Sequence, residues 1–182
     1  MRRFVLCLVV LGLFSAQSFA AIIESSNIEN DGTWTVEPTF IPFLPSGTSG
    51  IVATAGSEYF HFNSSLTSTT GTNTIGFASL LGVGTYQATI DVGNFNNRFF
   101  PLSITVGMTA GGTLLTPSLS STPAPALGAI NTWVLDYTIG AGNALLGQNI
   151  GFEITGQDRN VSFDNLNIHS PSPIPEPLIN LQ

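Results

Sequence analysis

Carboxylates are the groups best placed to do chemistry in this chain of 182 residues, because other reactive side chains are scarce. The two histidines, His61 and His169, lack a partner at metal-ligand spacing. His61 lies between Phe60 and Phe62, which points it away from the core of a half-buried strand, and His169 ends the last strand; both read as inert surface groups. The one cysteine, Cys7, lies in an apolar run near the start, so the body has no thiol nucleophile, disulfide or Cys-ligated zinc. Gly47-Thr48-Ser49-Gly50-Ile51 misses the nucleophile-elbow pattern at its last place. Gly82-Val83-Gly84 and Gly140-Ala141-Gly142 do not extend into a phosphate cradle, and there is no lysine to serve one. That leaves Asp91, Asp136 and Glu153, all on the polar side of alternating strands. Two of them on neighbouring strands would make an acid–base pair; the alternative is a solvated sheet face.

The elements that position these groups are strands. Tyr86, Ala88, Ile90 and Val92 alternate with Gln87, Thr89 and Asp91, and the same period recurs over 102–108, 133–139 and 150–154. Less regular strands are expected over 33–36, 51–55, 58–63 and 73–80, with turns at Asp31-Gly32, 82–84, Gly111-Gly112 and 140–143 and a long loop over 117–128. In Val161-Ser162-Phe163-Asp164-Asn165-Leu166-Asn167-Ile168, the two halves have opposite apolar parity. A bulge at Asp164-Asn165 would bring all four apolar residues to one face. About nine or ten short strands with one apolar face each predict an all-β antiparallel sandwich, and the jelly roll is the common closed form at this size. Tyr86, Ile90, Ile104, Val106, Trp133, Leu135, Phe152 and Phe163 are the expected core.

Arg2-Arg3, the apolar run 4–14 and Ser18-Phe19-Ala20 have the form of a signal peptide cleaved after Ala20. The expected organisation is a signal peptide over 1–20, a sandwich domain over 21–169 and a Pro-rich tail over 170–182 lying outside any sheet. Localisation is then extracellular or in the cell envelope, with no membrane span after residue 20. The only cations are Arg2, Arg3, Arg98 and Arg159, against 11 carboxylates, which excludes nucleic acid as a partner.

Ile174-Pro175-Glu176-Pro177 resembles the motif of bacterial PEP-CTERM proteins, which are exported and processed by exosortases. In that family a membrane helix and a basic cluster follow; here Leu178-Ile179-Asn180-Leu181-Gln182 follows, so the sorting signal reads as truncated. The stretch 85–94, Asn131-Thr132-Trp133, 150–154 and 161–166 is similar, in order, to PEP-CTERM proteins with a jelly-roll domain like a carbohydrate-binding module. Asn27-Ile28-Glu29-Asn30 resembles the opening segment of that domain. The same fold includes the Stig cyclases, calcium-dependent enzymes that make hapalindole-type alkaloids. Their closing strand carries two acids in the order Asp-Phe-Asp-Asn, whereas this chain has Ser162 at the first of them.

The resemblance implies a non-catalytic glycan-binding or structural domain with extracellular polysaccharide as its partner, the alternative being a small calcium-dependent cyclase using a carboxylic acid in an apolar pocket. It also implies a structural calcium between the first and last strands, with Glu29 and Asp164 as metal ligands. A bulge exposes carbonyls, and calcium takes six to eight oxygens. The alternative for Asp164 is that it turns the chain through its own hydrogen bonds.

Overall fold

Alternating residues sort themselves onto two antiparallel sheets. The computed structural model describes residues 21–29, 31–35, 43–46, 52–56, 58–61, 71–94, 104–156 and 161–172. Within them lie strands β1 (Ile22–Ser26), β2 (Trp34–Thr35), β3 (Phe43–Pro45), β4 (Glu58–His61), β5 (Gly71–Leu80) and β6 (Gly84–Asn94). They are followed by β7 (Ile104–Ala110), β8 (Thr113–Leu114), β9 (Leu119–Ser121), β10 (Ile130–Ile139), β11 (Asn149–Gly156) and β12 (Val161–Ser172). The larger sheet runs β3-β4-β12-β6-β10-β9, with β1 also on β12, and the smaller runs β2-β5-β11-β7-β8. This is the expected all-β sandwich.

The core is the space between the sheets. Tyr86, Ala88, Ile90 and Val92 of β6 and Trp133, Leu135, Tyr137 and Ile139 of β10 are buried from one side, as the alternation requires. Ile75, Val106, Met108, Ile150, Phe152 and Ile154 meet them from the other. Seven of the eight expected core residues are buried, and Ile104 is half-buried against them. The Tyr137 hydroxyl accepts a hydrogen bond from the Met108 N–H across the interior at 2.9 Å. Burial pushes its pKa up to about 12, so it stays neutral.

The bulge exists. β12 pairs Asp164 with Asp91 and then Asn167 with Thr89, so two residues of β12 face one of β6. Asn165 takes a left-handed φ of 51°. Val161, Phe163, Leu166 and Ile168 consequently all enter the core. On its other edge β12 pairs with β4 at Ser162 and Phe163, and with β1 from Leu166 to His169. The bulge therefore sits where β12 changes partner.

The elements differ from the sequence expectation in several places, β1, β3 and β8 being strands where none was expected. Residues 52–56 form a turn and not a strand, because their N–H groups go to a side chain (below) and not to a ladder. β12 continues into the Pro-rich tail, pairing Ser172 with Thr85 after a register shift that accommodates Pro171, which has no N–H to donate. The loop expected over 117–128 contains β9.

Phe152 lies at the centre of the smaller sheet's inner face, so Phe152→Ala should cost about 3–5 kcal/mol. A urea melt measures this. An unchanged midpoint would mean that the inner face is wrongly assigned.

Candidate functional site

Glu29 and Asp164, distant in sequence, address one loop. Asp164 Oδ2 accepts from Thr54 N at 2.5 Å, Ala55 N at 3.0 Å and Thr54 Oγ1 at 3.1 Å, and Oδ1 accepts from Asn165 N at 2.8 Å. Glu29 Oε1 accepts from Glu58 N at 3.3 Å at the loop's far end. Gly56 between them has φ 66°, in the left-handed region that favours glycine, and a Cβ there would make the Glu29 carboxylate shift.

Asp164 is 4% exposed and Asp91, directly opposite it, is 7% exposed. Like charges in facing positions are unfavourable, and hydrogen bonds offset this here. Asp91 accepts from Thr132 Oγ1 at 2.6 Å and from Asn165 Nδ2 at 3.0 Å. Asn167 Nδ2 then donates to Asn165 Oδ1 at 3.0 Å. Burial pushes the Asp164 carboxyl above the usual carboxylate range, against the pull of the N–H groups of Ala55, Asn165 and Thr54 and of the Thr54 hydroxyl. In Phe163-Asp164-Asn165, then, the first residue fills the core, the second holds a loop and the third ties β12 to β6.

The three carboxylates expected to pair do not meet. Asp91 faces Thr132, Asp136 faces Gln87 and accepts from its Nε2 at 2.9 Å, and Glu153 lies in the other sheet, bonded by the Thr155 hydroxyl at 3.0 Å. His169 ends up opposite Ile22 and Gln87, and the His61 side chain lies outside the described residues. Among the described residues no three His, Cys, Asp or Glu gather to hold a metal, and no helix is long and apolar enough to cross a membrane.

A cleft of about 380 Å³ opens between β1 and β5. Ile75, Gly76 and Phe77 line one side, and Ser26, Asn27, Glu29, Asp31 and Thr33 the other. Thr33 donates to Asp31 Oδ1 through its hydroxyl at 2.6 Å and its N–H at 2.9 Å, which holds Asp31 below the usual carboxylate range. The cleft's oxygens can face a ligand's polar end. Ile28, between the lining residues Asn27 and Glu29 in sequence, has φ 54°, an outlier for a β-branched residue, and its side chain is buried in the core. No sequence signal marks that conformation.

The family model described as HpiC1-like (HpiC1 cyclase) matches residues 13–169. Among solved structures, a cyclase from Fischerella sp. TAU in complex with 4-(1H-indol-3-yl)butan-2-one superposes with TM-score 0.62 at 18% identity, covering 82% of this chain and 90% of that one. The Stig cyclase Fisc from Fischerella sp. TAU, in complex with (3Z)-3-(1-methyl-2-pyrrolidinylidene)-3H-indole, gives 0.60 at 17%, covering 88% and 93%. The CBM22-1 xylan-binding domain of Paenibacillus barcinonensis Xyn10C gives 0.53 at 10%, covering 83% and 95%. No curated protein matches. The structural likenesses establish the fold, which cyclases and a xylan-binding module share, so the fold does not choose between them. The family match contradicts the expectation of a non-catalytic, glycan-binding or structural domain, because the family it names is one of cyclases.

The left-handed residue gives a direct check. Asn165→Gly loses the side-chain ties but fits the backbone, whereas Asn165→Val must also adopt a conformation that costs about 1–2 kcal/mol. Urea melts should rank wild type above glycine and glycine above valine. Equal losses would mean that Asn165 is not left-handed.

Proposed function

The chain belongs to the HpiC1-like family, and from that membership we propose that it is a cyclase that closes rings on an indole-bearing, otherwise apolar substrate. The family match over residues 13–169 carries the reading. Support for the substrate class comes from the indole ligands held by two structural neighbours. Such a ring closure isomerises its substrate: a proton arrives, a carbon–carbon bond forms and a proton leaves. What the protein must supply is a proton donor and a dry apolar surround for the cation. Apolar side chains for such a surround lie on the facing sheets, Trp133, Phe152 and Phe163 among them. Asp164 is committed to the 54–55 loop by its donors, so its part is positioning. Ser162, 3% exposed, stands where the Stig motif has its first acid, and a hydroxyl is too weak an acid to take over that duty.

Calcium belongs to the same proposal. Glu29 and Asp164 present carboxylate oxygens to one loop, and among the described residues Asp164 Oδ1 accepts from the Asn165 N–H alone. An ion held by these two carboxylates would fix the loop and take no part in the ring closure. In this reading the chain is exported, on the strength of the Arg2-Arg3 and apolar leader.

Two experiments test these points. Incubated with an isoprenoid-bearing indole, the folded protein should yield a product of unchanged mass with fewer alkene protons by NMR. Recovery of unaltered substrate across pH 5–8, with calcium present, would refute the cyclase. Separately, calcium at a hundredfold excess over its dissociation constant should stabilise the wild type by about 2.7 kcal/mol. Thermal melts that coincide with calcium and with chelator, or a shift that survives in Asp164→Asn, would exclude the ion from this place.

A further inference from the structure

Asn94 ends β6 on its core-facing side, in register with Val161 of β12 and two residues beyond Val92, and it is 7% exposed. Three of its four polar groups are used. Its N–H donates to Ala129 O at 3.0 Å, its carbonyl accepts from Gly128 N at 2.9 Å, and its Nδ2 donates to Pro125 O at 3.1 Å. Among the described residues no donor reaches Oδ1, which is buried. Turning the amide over does not help, since that would set Oδ1 against the Pro125 carbonyl oxygen and lose a bond. Among the described residues the carboxamide is therefore pinned with its acceptor unmet. The loop that pins it is itself anchored by Trp133 Nε1 and Asn131 Nδ2, both donating to Pro123 O, at 3.0 and 3.3 Å.

A buried, unmet acceptor is costly and asks for a partner. We propose that Asn94 Oδ1 receives the ring N–H of the substrate, a heteroaromatic carrying one hydrogen-bond donor on an apolar body. This rests on the cyclase reading for the indole class, and it adds a specificity-determining residue to it. The chemistry is selective. Val92 and Val161 beside Asn94 are fully buried and apolar. An anion would meet an acceptor there, and an ammonium ion would meet no carboxylate, since Asp91 and Asp164 lie on the opposite face of the sheet. A neutral N–H satisfies the oxygen without adding charge.

The test compares two ligands within each variant: 4-(1H-indol-3-yl)butan-2-one and its ring N-methyl analogue, with binding followed by calorimetry on the full chain. Wild type should bind the N–H ligand about tenfold or more tightly than the N-methyl one, the usual penalty for leaving a buried acceptor unmet. In Asn94→Ala the ratio should fall to about one. In Asn131→Ala, which loosens the same loop through a different bond, the ratio should persist. A wild-type ratio near one, no measurable binding of the N–H ligand, or a ratio that survives in Asn94→Ala would each overturn the proposal. Should Asn94→Ala fail to fold, the wild-type ratio alone decides. The cyclase reading fails on a different measurement, absence of ring closure, even where the binding ratio holds.

Discussion

One extra residue in β12 organises this molecule. At Asp164-Asn165 the strand spends two residues against one of β6, and Asn165 accepts a left-handed backbone to do so. A strand one residue shorter would bury Val161, Phe163, Leu166 and Ile168 by plain alternation, so the core alone does not call for the bulge. The additional residue carries polar duties. It places Asn165 Nδ2 on Asp91, while Asp164 faces the point where β12 passes from β4 to β1. A gap between two edge partners would leave backbone groups of the incoming loop unsatisfied, and the Asp164 carboxylate meets them.

The rest of this side of the larger sheet follows. Thr54 and Ala55 are drawn over the outer face, and Tyr59 and Asp91 are buried there instead of facing solvent. Beyond Asp91, β6 is buried on both faces up to Asn94, where the polar groups turn inward. The sandwich thus has an ordinary apolar middle and an unusual polar end. Interiors tolerate such groups when they are paired.

Much of this could be read in the sequence. Strict alternation in β6, β10 and β11 announced their faces, and the parity conflict between Phe163 and Leu166 announced the bulge. What alternation cannot carry is which strands are neighbours. Asp91, Asp136 and Glu153 share a polar parity, yet the topology separates them. The 51–55 stretch has strand-like composition, but a carboxylate about 110 residues away in sequence takes its N–H groups. Nor does local sequence separate an enzyme from a binding module on one scaffold: the sandwich is common to both, and family membership favours the enzyme.

Hydrogen exchange at the Thr54 and Ala55 amides tests the central role of Asp164 most directly. Both amides should be protected in the wild type, and Asp164→Ala should expose them to rapid exchange while core amides of β6 and β11 keep their protection. Equal protection of Thr54 and Ala55 in the two proteins would contradict that role.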